Sequence, residues 1–154
     1  MTRCFLNLVV VCLSCLSFFS VQANSYKVYN TWYMKDGVMY DMAQTNEGEP
    51  VMISIYAPGK KSSNMVISYY GVGKCQNVPS SLKVDAFFVP ANYSCAQIDN
   101  GWIRHFVVSD IYSVNYVVNQ LRTGFTVVLQ DEIKVWVENF NKPKFGTGPD
   151  FFRE

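Results

Sequence analysis

The chain predicts a mainly β fold, an antiparallel β-sandwich or partly open barrel with one late α-helix at about 110–123. Three observations carry this. Apolar and polar residues alternate in several short runs. Turn residues (Gly, Asn, Asp, Pro) separate those runs at regular intervals. One late segment changes to helical spacing, as Ile111, Val114, Val117, Val118 and Leu121.

The elements follow in order. Lys27 to Lys35 reads as a first strand, Asp36-Gly37 as a hairpin turn and Val38 to Thr45 as the return strand. Asn46 to Glu49 turns the chain. Pro50 to Ala57 then sets Val51, Ile53 and Ile55 on one face. After Pro58-Gly59-Lys60-Lys61, Met65, Ile67 and Tyr69 share a face of a fourth strand. Gly71 to Ser81 is a loop. Leu82 to Val89 alternates as one strand, and Pro90 marks an edge or a strand end. Tyr93 to Ile98, a turn at Asp99-Asn100-Gly101, and Trp102 to Val108 come next. Ser109 or Asp110 can cap the helix, Arg122 suits its last turn and Gly124 its end. Phe125 to Gln130 and Ile133 to Phe140 close the strands. Residues 141–154 read as an irregular tail.

Residues 1–23 read as a secretory leader. Arg3 precedes the uncharged run Cys4 to Phe19, and Ser20-Val21-Gln22-Ala23 ends it with small or short residues. Cleavage after Ala23 leaves one domain, 24–154, with no membrane-spanning segment. Leu13-Ser14-Cys15 resembles the start of a lipidation site, but apolar residues continue past it, so a lipid anchor on Cys15 is not expected. Asn92-Tyr93-Ser94 is a formal glycosylation acceptor, read here as chance.

Removing Arg3 leaves twelve basic residues against twelve acidic ones. A neutral chain has no electrostatic case for nucleic acid, where affinity comes mainly from phosphate neutralisation. The leader also takes three cysteines. Cys75 and Cys95 remain, and an even pair in an exported chain is most simply one disulfide.

Familiar chemistry finds little support. His105 is the only histidine and shares a strand face with Ile103 and Val107, as an ordinary half-buried histidine does. Two cysteines and one histidine do not complete a zinc site, and no metal or cofactor is expected. Gly71-Val72-Gly73-Lys74 precedes a cysteine rather than a helix, so it is a loop and not a phosphate cradle. Most acids sit in turns, among them Glu47, Glu49, Asp131 and Glu132, where carboxylates usually face solvent. Asp41 and Asp85 fall within strands; solvated or ion-paired roles are expected, with a hydrolase as a rival reading. Trp136, flanked by Lys134 and Glu138, is the leading candidate for an exposed aromatic contact. Trp102 and the loop pair Gly73-Lys74 are further candidate binding residues.

The chain resembles the invasion-associated locus B family of exported bacterial proteins. The resemblance lies in Trp32, in Val38-Met39-Tyr40-Asp41-Met42-Ala43-Gln44 running into Gly48, and in the strand Val51 to Tyr56. It continues through Phe87-Phe88, Cys95, the helix end Leu121-Arg122-Thr123-Gly124, and Val127 to Val137. It is a likeness of layout across most of the mature chain. It implies a periplasmic or surface β-domain linked to host interaction, with no catalytic residues to carry over. The expectation is therefore a non-enzymatic protein-binding module. The alternative is a periplasmic inhibitor or immunity protein against a cell-wall hydrolase or toxin, with the loop Gly71 to Ser81 as its plug.

Overall fold

Asp36 and Gly37 both take positive φ, 50° and 79°, and close a two-residue turn between β1 (Tyr33–Lys35) and β2 (Val38–Gln44). A tight hairpin needs that backbone, and Asp-Gly adopts it readily. The computed structural model describes residues 28–71, 74–75, 80–98 and 101–146. The leader, Gly73, most of the loop Gly71 to Ser81 and the tail beyond residue 146 lie outside the described residues.

The chain continues through β3 (Pro50–Tyr56), β4 (Asn64–Gly71), β5 (Ser81–Val84), β6 (Phe87–Pro90), β7 (Asn92–Ile98) and β8 (Gly101–Val108). Helix α1 (Ile111–Arg122) follows, then β9 (Val127–Leu129), β10 (Ile133–Val135) and β11 (Lys144–Phe145). Seven strands form one sheet, in the order β11-β1-β2-β3-β4-β8-β7, and four form the other, β10-β9-β5-β6. The result is the expected β-sandwich with one helix.

Alternation decides what each face buries. On the inner face of the large sheet, register aligns Ala43, Val51, Tyr69, Arg104 and Cys95 in one row. The next row holds Asp41, Ile53, Ile67, Phe106 and Tyr93. Leu82, Val84, Leu129, Ile133 and Val135 of the small sheet meet this face in one core. Helix α1 adds Val114, Val117, Val118 and Leu121 to the same core. Its N-cap is Asp110, whose Oδ2 accepts from Ser113 N at 2.9 Å. At the other end Arg122 Nη2 donates to the Pro58 carbonyl at 3.2 Å. Gly59 lies beneath that arginine at φ +80°, and an added Cβ would come within 2.7 Å of Arg122 Nη1. Among the described residues, no helix is long and apolar enough to cross a membrane.

Three expectations are corrected. The first strand is only Tyr33–Lys35. Asn30 takes φ 58°, and Trp32 is drawn inward: its backbone N donates to Asn139 Oδ1 at 2.7 Å and its Nε1 to the Trp136 carbonyl at 2.8 Å. Using the Trp136 carbonyl in this way also ends the late strand at Val135 rather than Phe140. Second, Leu82 to Val89 is a hairpin and not one strand. Val84 pairs with Phe87 across Asp85-Ala86, and Asp85 sits at φ 50°. Third, the segment from 141 is not irregular throughout. β11 runs parallel to β1, with Lys144 N donating to the Trp32 carbonyl at 3.0 Å.

Cys75 and Cys95 form the disulfide, with Cα atoms 6.0 Å apart and a sequence separation of 20. It ties the chain after β4 to the edge strand β7. Closing a loop of that length stabilises by about 3 kcal/mol through the unfolded state. Cys75→Ser is expected to lower the thermal midpoint by a corresponding amount. Identical wild-type midpoints with and without reductant would contradict a stabilising bridge.

Candidate functional site

A cleft of about 270 Å³ opens where the turn between β2 and β3 faces the turn between β9 and β10. Its floor is the inner face of the large sheet: Tyr69 on β4, Arg104 and Phe106 on β8, and Tyr93 on β7. Thr45, Glu47 and Glu49 come from one turn, Gln130 and Glu132 from the other.

Each turn is fixed by local bonds. Thr45 N donates to the Glu49 carbonyl at 2.9 Å, and Glu49 N donates to Thr45 Oγ1 at 3.1 Å. Gly48, at φ 87°, allows the reversal. Across the cleft, Gln130 and Asp131 take φ 52° and 62°. Gln130 N donates to the Lys83 carbonyl at 3.0 Å, and Gln130 Oε1 accepts from Lys83 N at 3.1 Å. Lys83 Nζ also pairs with Asp131 at 2.7 Å. These contacts pin the turn to β5 and leave Glu132 on the cleft side.

The floor is aromatic. Phe106 lies 6.0 Å from Tyr69 and 5.1 Å from Tyr93, centroid to centroid. Tyr69 is 7 % exposed, and the hydroxyls of Tyr69 and Tyr93 are buried without a hydrogen-bond partner. Such groups are uncommon in folded proteins, because each loses its hydration without replacement. Burial raises the Tyr69 phenol; Glu132 adds to that and Arg104 opposes it. Glu132 is also raised, first by burial and then by Glu47 and Glu49. Carboxylates from the two turns therefore share one electrostatic field. Arg104 Nη2 donates to the Lys74 carbonyl at 3.3 Å, beside the disulfide.

The residues singled out from sequence lie elsewhere. Trp136 is 44 % exposed, as expected of a contact residue, but it does not line the cleft. Trp102 is half-buried on β8, two positions before Arg104. Lys74 is exposed and reaches the site through its carbonyl alone, as the acceptor for Arg104. Gly73 is outside the described residues. His105 sits on the outer face with Ser68 Oγ 2.9 Å from Nδ1, and burial lowers it from the ordinary histidine value. Of the turn acids expected to face solvent, Glu47 is exposed and Glu49 and Glu132 are half-buried, and all three line the cleft. Nothing in a local window signals that two turns so far apart in sequence, Thr45 to Glu49 and Gln130 to Glu132, will meet.

Asp85 and Asp41 also differ from expectation. Asp85 anchors its hairpin to β9: Oδ1 accepts from Val128 N at 2.8 Å, and Oδ2 accepts from Tyr116 Oη at 3.4 Å. Asp41 is neither solvated nor ion-paired. It is 0 % exposed on the core face of β2, where Ile53 is its cross-strand partner. Burial pushes its carboxyl up to about 6. The amides of Thr31 and Met42 lie close enough to temper that rise, yet neither meets hydrogen-bond geometry, and both oxygens stay unpartnered.

No family model, no curated protein and no solved structure matches the chain.

The Asp41 carboxyl gives a prediction with a definite sign. It holds its proton to about pH 6 when folded and loses it near 3.8 when unfolded. Its contribution to stability is therefore present below pH 3.8 and lost as pH rises to about 6. The loss is about 3 kcal/mol at neutral pH. Glu132 acts in the same direction and Asp110 in the opposite one, so the reading is the difference between wild type and a variant. Asp41→Asn is expected to raise the thermal midpoint at neutral pH, with the advantage shrinking as pH falls through that window. A variant less stable than wild type at neutral pH would show that Asp41 has a partner.

Proposed function

We infer that the protein is an exported, non-enzymatic binding module that recognises a protein partner through the cleft between the two turns. One observation carries this reading: Tyr69 and Tyr93 hold unpartnered, buried hydroxyls in a cleft rimmed by three carboxylates. Polar groups left unsatisfied in the free protein cost stability, and a bound ligand that supplies their partners recovers it. The leader pattern supports export, and the disulfide suits an oxidising compartment. The two acids on which a hydrolase reading leaned are committed elsewhere, Asp41 to the core and Asp85 to its hairpin.

A second reading has one observation in its favour. Glu132, held above its ordinary value beside Glu47 and Glu49, has the form of a general acid facing carboxylates. On that reading the purified protein cuts envelope glycan.

The test uses the disulfide-bonded chain from Asn24 to Glu154 as bait in envelope extract, beside the Glu47→Gln/Glu132→Gln variant. The binding reading expects a stoichiometric partner whose capture falls about tenfold or more in the variant. A wall hydrolase or toxin as that partner would make the protein an inhibitor or immunity factor. Equal capture by both forms would remove the cleft from recognition. Reducing ends released from envelope glycan by the wild type, and not by the variant, would favour the enzyme.

A further inference from the structure

The cleft combines three features that a single ligand class would satisfy together. Its rim is net negative, with three carboxylates set against the one guanidinium of Arg104. That guanidinium donates to the Lys74 carbonyl and lies near enough to Tyr69 to oppose the rise of its phenol. The floor presents Tyr69, Phe106 and Tyr93 as adjoining aromatic rings, and cations are attracted to such faces. Tyr69, more than nine-tenths buried, and Tyr93 both line the cleft, and the buried hydroxyl of each has no hydrogen-bond partner.

We propose that this cleft receives one organic cation, the guanidinium of an arginine side chain presented by the protein partner. The proposal rests on the reading of the cleft as the partner-binding site and names what that site takes.

Three arguments select a guanidinium over other cations. Among the described residues, no group of three or more His, Cys, Asp or Glu side chains converges closely enough to hold a metal ion. Carboxylates spread over two turns suit a cation that is itself spread over a plane. A guanidinium offers five N–H donors in a fixed fork, so it can serve carboxylates on both turns at once. It also stacks flat on aromatic rings, which an ammonium, compact and strongly hydrated, does less well. Finally, like-charged carboxylates facing one another across a partly dry cleft gain from a cation placed between them. Glu132 is raised first by burial and then by Glu47 and Glu49, so a cation between the turns would favour its charged form.

Size agrees with one side chain rather than a larger molecule. The cleft, about 270 Å³, falls below the roughly 300–1,000 Å³ of drug-sized sites. A partner would insert a single residue and rest the remainder of its surface on the rims.

The experiment titrates the mature, disulfide-bonded chain with Nα-acetyl-arginine amide while ring resonances of Tyr69 and Tyr93 are followed by NMR. Nα-acetyl-citrulline amide, of the same shape and without charge, is the control. Arginine amide is expected to give saturable shifts at both rings, with citrulline amide and the Glu132→Gln variant each about tenfold weaker. Tyr69→Phe keeps the ring and removes the vacant hydroxyl. It is expected to weaken binding while raising the thermal midpoint, a combination that a purely structural tyrosine would not give. No saturable shift with arginine amide, or equal binding of arginine and citrulline amides, would overturn the proposal. If that happens while Glu47→Gln/Glu132→Gln still abolishes partner capture, the cleft remains the binding site and only the cation is wrong. If partner capture survives that variant, the underlying reading of the cleft fails as well.

Discussion

The two layers of the sandwich differ in strand length, and the rest of the molecule depends on that mismatch. The central strands of the large sheet run seven or eight residues, and those of the small sheet three or four. A short layer cannot cover every row of a long one. The middle rows of the large sheet are sealed by Leu82, Val84, Leu129 and Ile133, which make an ordinary apolar core. Toward the β9–β10 turn the cover runs out, and the sheet presents Tyr69, Arg104, Phe106 and Tyr93 to the cleft. The cleft is thus a consequence of layer geometry, and the turns that rim it inherit their positions from the sheets they connect.

The same geometry explains why polar groups are stranded at two depths. Asp41 occupies an inner-facing position in the row of Ile53 and Ile67, so strand alternation delivers a carboxylate into the core. Trp32 lies just outside the ladder that ends at Tyr33 and Tyr40, held by Asn139 and by its edge-on contact with Phe140 at 4.9 Å. Farther along the sheet, Tyr69 is buried and Tyr93 half-buried, and both leave buried hydroxyls without partners. A chain under pressure for stability alone would replace such groups with apolar ones of similar shape. The unpartnered hydroxyls of Tyr69 and Tyr93 are what the proposed binding role accounts for. For Asp41 the cost is visible in its raised carboxyl, and its closed surroundings give it no route to an outside ligand.

Much of the fold was legible in the sequence, because its signals are local. Alternation in Val51-Met52-Ile53-Ser54-Ile55 places the core face of β3, Asp36-Gly37 sets a turn, and Asp110 with the apolar spacing to Leu121 marks the helix. Local signals failed where a distant contact overrode them. Trp32 leaves its strand because Asn139 and Trp136 capture it. Leu82 to Val89 hides a hairpin because Leu82-Lys83-Val84-Asp85 alternates and Ala86 to Val89 is apolar, while the turn shifts the phase by one and pairs Val84 with Phe87. The bond from Val128 to Asp85, 43 residues away, is invisible to any short window. The cleft failed for the same reason: Glu47, Glu49 and Glu132 are unremarkable turn acids until two turns from different sheets are set face to face. Cys75 and Cys95 were legible because their pairing needed only counting.

The titration of the Glu132 carboxyl, followed by NMR in wild type and in Glu47→Gln/Glu49→Gln, tests the face-to-face arrangement most directly. Glu132 is raised by burial and by two acids from the opposite layer's turn, so its midpoint reports the cleft and the sandwich together. The account expects Glu132 to titrate above the ordinary glutamate value and to move back toward it in the double variant. A wild-type Glu132 at or below the ordinary value, or one indifferent to Glu47 and Glu49, would mean that the two turns do not face each other and that the cleft does not exist in this form.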